Sequence, residues 1–144
     1  LKRRADHKSM LVLVDNLTRL EQYVSYIPEV AFELIDVAVK PLTIIYPKGK
    51  NLAPNLMATD GSIGIRIAKD EFCERLISSF RRPVVSTSAN ISGEKPPARF
   101  SEISEEIKSG VDYVVNWKQQ EDTPQQSSSI IKIGPGGEIK ILRN

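Results

Sequence analysis

The chain is poor in the residues that make covalent or metal chemistry conspicuous: 144 residues include one cysteine, Cys73, and one histidine, His7. A single cysteine excludes an internal disulfide framework and suits a reducing, cytoplasmic setting. One cysteine with one histidine leaves almost no material for a zinc site. A serine-hydrolase triad would need His7 as its base, and no nucleophile-elbow motif accompanies it. No apolar run approaches the ~20 residues of a membrane-spanning helix, and no signal-peptide pattern is present. Excess charge is also missing. Lys and Arg number 20 against 18 Asp and Glu, and a net charge of +2 is too mild to mark a nucleic-acid binder. The Walker and dinucleotide glycine patterns are absent, because Gly134-Pro-Gly-Gly137 has no following lysine and opens no helix. The chain also opens without an initiator methionine, at Leu1, with Lys2, Arg3, Arg4 and Lys8 crowded into its start.

What is present is a succession of short periodic segments. Met10-Leu-Val-Leu-Val14 is continuously apolar, which predicts a strand buried on both faces. A helix follows, capped by Asp15 or Asn16, with Thr18 and Glu21 at capping-box spacing and Leu17, Leu20 and Val24 as its stripe. Pro28 opens a second helix whose inward face is Val30, Ala31, Leu34, Ile35 and Ala38. Pro41 breaks that pattern, and residues 42–46 read as a strand. Residues 47–61 form a long connection, either a binding loop or a tolerated surface excursion. Ser62-Ile-Gly-Ile-Arg-Ile67 alternates with period two and predicts a strand with Ser62, Gly64 and Arg66 on one face. A helix over 70–80 has Phe72, Leu76, Ile77 and Phe80 as its core side, with Cys73 beside them as a small buried hydrophobe.

Pro83-Val-Val85 begins another strand, and Ser101 opens a short helix that Gly110 ends. Val111-Asp-Tyr-Val-Val115 reads as a strand, and residues 118–127 as a polar loop. The runs 129–133 and 138–142 flank Gly134-Pro-Gly-Gly137 as a hairpin. Strands that alternate with helices and then meander imply an α/β fold: a twisted mixed β-sheet with helices packed on it, residues 1–144 forming one domain.

The chemistry candidates are mostly cationic or neutral donors. Lys2, Arg4 and Lys8 precede a buried strand, as a solvated chain end or as a phosphate clamp. Arg66 lies inside an apolar strand, where an unpaired buried charge is costly. It therefore sits at a strand end, in an ion pair, or facing a cleft that holds an anion. Ser86-Thr-Ser-Ala-Asn-Ile-Ser-Gly93 packs five hydroxyl or amide side chains into eight residues at a strand's end. Ligands of open α/β sheets bind there. The same residues also suit a turn whose side chains bond their own backbone.

Taken in order, Lys2-x-Arg4 before a strand, Pro41-Leu-Thr43, Gly64-Ile-Arg66, Ser88-Ala-Asn-Ile-Ser-Gly93 before a proline-rich loop, Ser128-Ser-Ile-Ile131 and Arg143 resemble the YrdC-type threonylcarbamoyl-AMP synthases. The resemblance covers nearly the whole chain and implies a YrdC-like fold with a terminal hairpin. It implies a nucleotidyltransferase that makes threonylcarbamoyl-adenylate from L-threonine, bicarbonate and ATP and releases pyrophosphate, for tRNA threonylcarbamoyladenosine modification. By the same resemblance Lys2, Arg4, Ser88 and Asn90 form the active-cleft tetrad. Arg4, Lys8, Ser62, Asn90 and Arg143 lie on the ATP side, and Arg66, Ser88 and Ser128 lie nearer threonine and its carbamate. Magnesium comes with the triphosphate, with no dedicated protein metal site and no organic cofactor. The downstream partners implied are tRNA threonylcarbamoyl-transfer proteins, with weak tRNA or double-stranded RNA binding and no membrane association.

Three positions depart from the family pattern: Val39-Lys40 where Pro-Gly is common, Ala68 for a proline, and Ala98 for a hydroxyl residue. The family also has a strand, a helix and a Pro-Thr-Asp-Thr segment upstream of its Lys-x-Arg, so the expectation is a domain lacking its N-terminal segment. Two further readings share the fold. One is an RNA-binding module without synthase activity, whose surface Lys40, Lys48 and Lys50 would extend. The other is a carbamoyl-transfer domain of a larger maturation enzyme.

Overall fold

The computed structural model describes residues 10–124 and 127–144. Lys2, Arg4, His7 and Lys8 lie outside the described residues. The chain divides into two compact units, one containing 10–86 with 128–144 and the other 87–124 with 127.

The first unit is built on a six-stranded mixed sheet. Its strands are β1 (Leu11–Val14), β2 (Leu42–Tyr46), β3 (Ile63–Ile67), β4 (Val84–Ser86), β5 (Ser129–Ile133) and β6 (Ile139–Arg143), in the order β4-β1-β3-β2-β5-β6. The pairs β1/β3 and β2/β5 are parallel, while β1/β4, β2/β3 and β5/β6 are antiparallel. The hairpin expected around Gly134-Pro-Gly-Gly137 is the β5–β6 turn, closed by Gly137 N–H donating to the Gly134 carbonyl at 3.0 Å.

Helices α1 (Leu17–Tyr23), α2 (Glu29–Val37) and α3 (Glu71–Phe80) complete this unit. Asn16 caps α1 by accepting from Arg19 N, and Asp70 caps α3 by accepting from Phe72 N and Cys73 N. Pro28 stands at the N-cap of α2.

Register and alternation divide the sheet into two chemically different faces. Val12, Val14, Ile44, Tyr46, Ile63, Ile65 and Ile133 fall on one face and join Leu20, Val24 and Ala31 in a buried core. Each buried valine, leucine or isoleucine among them contributes roughly 1.5–3 kcal/mol by leaving water. The same period-two geometry turns Leu13, Thr43, Gly64, Arg66 and Ile130 to the other face. The apolar run that predicted β1 thus comes from a strand whose two faces serve different neighbours.

Three local expectations change. Leu76 and Phe80 of α3 are 46% and 57% exposed, and Ile77 alone of the predicted stripe is fully buried. The surface that α3 meets is narrower than its apolar stripe. The helix expected from Ser101 splits into a single 3-10 turn, Phe100–Glu102, and α4, Glu105–Ser109, because Ile103 and Ser104 adopt extended backbone. Residues 111–115 form no strand, since high β-propensity yields one only where a neighbouring backbone pairs with it. Among the described residues no helix is long and apolar enough to cross a membrane.

Candidate anion-binding site

The second face of the sheet brings together four side chains from four segments. Ile44 pairs with Ile65, so antiparallel stepping places Thr43 opposite Arg66. Ser128 immediately precedes β5, which runs parallel to β2, and Arg143 on β6 pairs with Ile130. Thr43 and Ser128 are buried, 5% and 3% exposed, so their hydroxyls must be satisfied within the protein or by a ligand.

Arg66 donates from Nε and Nη2 to Thr43 Oγ1, both at 3.2 Å, and from Nη2 to Ser128 Oγ at 2.8 Å. Arg143 donates from Nη2 to the same Ser128 Oγ at 3.1 Å and from Nε to the Ser128 carbonyl at 2.8 Å. Two guanidinium groups thus converge on one serine hydroxyl. Among the described residues, no carboxylate is ion-paired with either arginine. Burial, and then the charge of Arg143, push the Arg66 guanidinium below its ordinary value. Its starting point is so high that it stays charged.

Hydrogen-bond arithmetic sharpens this. Four arginine N–H contacts to the two hydroxyl oxygens fill their four lone pairs. The 3.1 Å Thr43–Ser128 contact competes for those same lone pairs. The cluster therefore holds surplus O–H and N–H donors and no strong acceptor of its own. A carboxylate or phosphate, which only accepts, complements it in charge and in hydrogen bonding. The ion-pair alternative for Arg66 does not hold among the described residues, where its anchors are neutral hydroxyls.

Beside Arg66 lies a cavity of about 340 Å³ lined by Leu13, Ile35, Pro41, Leu42 and Cys73, among others. Cys73 is half-buried against it rather than enclosed in the core. Burial, and next the Asp70 carboxylate, push its thiol up, away from the reactive thiolate. Ala68 and Lys40 also line this cavity.

Ser62 stands at the entrance to β3, 5% exposed. Its backbone N–H donates to Asp60 Oδ1 at 2.9 Å, and its hydroxyl bonds the same carboxylate. Lys132 Nζ reaches Asp60 Oδ2 at 2.9 Å. Ser62 and Lys132 together hold the Asp60 carboxyl well below the usual carboxylate range.

The second unit carries Ser88 and Asn90. Asn90 is 8% exposed and donates from Nδ2 to the carbonyls of Ile91 and Glu94, at 3.1 and 2.7 Å. Its backbone N–H donates to the Ser88 carbonyl at 3.0 Å, and Gly93 supplies the left-handed residue that closes this loop, φ 97°. The turn reading of this segment is therefore realised for the Asn90 amide nitrogen. Ser88 is exposed. Ala98 donates its backbone N–H to Glu102 Oε2 at 2.8 Å, so the position keeps a backbone role without a side-chain hydroxyl.

Of the nine expected site residues, the sheet unit brings Arg66, Ser128 and Arg143 into mutual contact and fixes Ser62 against Asp60. The other unit fixes Asn90. Thr43, Asp60 and Lys132 belong to these arrangements, yet Thr43 stood in the Pro41-Leu-Thr43 motif with no role assigned to it, and nothing singled out Asp60 or Lys132. Their signal was the cross-strand register, which no single strand contains. Lys48 and Lys50 are exposed. Among the described residues no group of His, Cys, Asp and Glu is placed to hold a metal ion.

A family model named for Sua5, YciO and YrdC and described as "Telomere recombination" matches residues 1–144. A protein of Methanocaldococcus jannaschii named putative threonylcarbamoyl-AMP synthase is 38% identical over 117 residues, covering 81% of this chain and 54% of the relative. Sua5 of P. abyssi, solved with L-threonine, superposes with a TM-score of 0.78 at 24% identity, covering 99% of this chain and 41% of that one. YciO of E. coli superposes with a TM-score of 0.80 at 20% identity, covering 99% of this chain and 68% of that one. The chain spans a little over half the length of the relatives named as synthases, 54% and 57% for two of them.

Proposed function

Because the chain belongs to the Sua5/YciO/YrdC family, we propose that its donor-rich cluster serves a threonylcarbamoyl-AMP synthase. The substrates are L-threonine, bicarbonate and ATP, and the product is a threonylcarbamoyl-adenylate for tRNA modification. One observation carries this reading: Arg66 and Arg143 share the Ser128 hydroxyl, and no carboxylate among the described residues compensates them.

The reaction joins anions. Threonine's amine and bicarbonate condense to a carbamate with loss of water. A carbamate oxygen then attacks the α-phosphorus of ATP, and the bond to the β-phosphate bridging oxygen breaks to release pyrophosphate. Neither step requires a protein nucleophile, which agrees with a chain holding one raised-pKa thiol and one histidine. The protein's task is to hold like charges together and neutralise them as the transition state forms, a few kcal/mol per well-aimed donor.

In this reading Arg66, Ser88 and Ser128 take the threonine carbamate, while Arg4, Lys8, Ser62, Asn90 and Arg143 take ATP. Lys2, Arg4, Ser88 and Asn90 act on the reacting groups. Magnesium enters with the nucleotide as part of that substrate.

The test is pyrophosphate release by the full-length protein with ATP, threonine and bicarbonate. Release should stop when threonine is omitted and fall steeply in Arg4→Ala and Asn90→Ala. Threonine-independent release, or none from folded full-length protein, refutes the reading.

A further inference from the structure

We propose that Thr43 is a positioning residue for Arg66, holding its guanidinium by one edge while leaving its charge intact for the ligand. The inference rests on the anion-site reading above and adds a residue to it. Thr43 is buried on β2, its hydroxyl turned away from the apolar core. It accepts both Nε and Nη2 of Arg66 at 3.2 Å.

Those two atoms form one edge of a planar fork. Gripping them stops rotation about the Cδ–Nε bond and directs the Nη1 side away from β2. Among the described residues Nη1 makes no protein hydrogen bond. An aspartate at this position would hold the same edge at least as firmly, but it would neutralise the charge. A neutral hydroxyl gives the geometry without that loss, and its β-branched stem suits the strand.

Ser128 cannot substitute for it. Its Oγ already accepts from Arg66 Nη2 and Arg143 Nη2, and it leaves the Arg66 Nε unpartnered. Without the Thr43 oxygen, the single Nη2 bond to Ser128 leaves the Nε edge and the orientation of the fork unfixed until the anion arrives. Affinity would fall by the cost of immobilising one long side chain, about 0.5–1.5 kcal/mol, or up to about tenfold.

Three forms of the full-length protein decide the matter: wild type, Thr43→Val and Thr43→Ser. In synthase turnover, Thr43→Val should raise KM for threonine up to about tenfold with little change in kcat, and Thr43→Ser should restore it to within about twofold. Independently of turnover, the Arg66 Nε–H proton resonance should exchange slowly in the ligand-free wild type and in Thr43→Ser. It should broaden or vanish in Thr43→Val. An unchanged Nε–H resonance in Thr43→Val overturns the proposal, as does a Thr43→Ser variant that rescues neither readout. If wild type shows no threonine-dependent turnover, the synthase reading fails while the resonance still decides whether Thr43 positions Arg66.

Discussion

Arg66→Met separates a ligand-binding cation from a structural one. Arg66 and Arg143 donate to one Ser128 oxygen at 2.8 and 3.1 Å, so their Nη2 atoms lie no more than about 6 Å apart. Two unit charges at that distance repel by about 0.7 kcal/mol in a water-like medium and about 3 kcal/mol at an effective dielectric of 20. The partial burial of Arg66 adds a desolvation cost. Against this stand its hydrogen bonds to Thr43 and Ser128. Methionine keeps an unbranched apolar stem, and Thr43 and Ser128, already 3.1 Å apart, can then pair with each other. No buried hydroxyl is orphaned.

The expected result is a ligand-free stability within about 1 kcal/mol of wild type, since exchanging a buried charge for an apolar side chain is often neutral. The response to ligand should differ sharply. On the proposed reading, threonine at one hundred times its dissociation constant should stabilise wild type by about 2.7 kcal/mol, or roughly 5–11 °C for a chain of this size. Arg66→Met should lose that shift. Thermal unfolding with and without L-threonine, monitored by circular dichroism, measures both quantities. A loss of more than about 3 kcal/mol without ligand, with the threonine shift retained, would show that Arg66 holds the fold together and refute the argument.

Two further outcomes follow from particular contacts. At Gly49, a Cβ would stand 2.9 Å from Met57 Sδ and 3.1 Å from Ile63 Cγ2, inside the core. Gly49→Ala should cost about 1–3 kcal/mol in urea unfolding, and an unchanged midpoint would show that the loop yields freely. Asp60 has its folded pKa depressed by Ser62 and Lys132 from the ordinary 3.8. Its stabilisation is therefore complete above about pH 4 and is lost as pH falls below that, toward the folded value. Because its side chain is 55% exposed, the effect is at most about 0.5 kcal/mol. The stability gap between wild type and Asp60→Asn should narrow from pH 7 to pH 3, and an equal gap at both would contradict the pairing.

Legibility tracked the range of the interaction. Leu11–Val14, Leu42–Tyr46 and the β5–β6 hairpin are visible in their own residues, because burial pattern, proline breaks and a glycine turn act within a few positions. The helix cap at Asn16 is equally local. Residues 111–115 misled because their β-propensity is local while strand formation needs a partner. The stripe of α3 misled in the same way, since periodicity names a face but not how much of it is covered. Arg66 was visible as an anomaly in an apolar strand, and the family resemblance grouped it with Ser128, but its anchoring by Thr43 was not visible.

What the sequence by itself determined is the succession of strands and helices that build the sheet unit, the sheet's α/β character, and the short stock of residues able to do chemistry. What only the tertiary structure decided is which of those residues meet. Thr43 and Ser128 are separated by 85 positions, and they adjoin because β2 and β5 pair in one register. A slip of a single residue would turn Thr43 toward the apolar core and leave Arg66 without its anchor. The cation's identity is written in the chain, and its readiness for an anion is a property of the sheet.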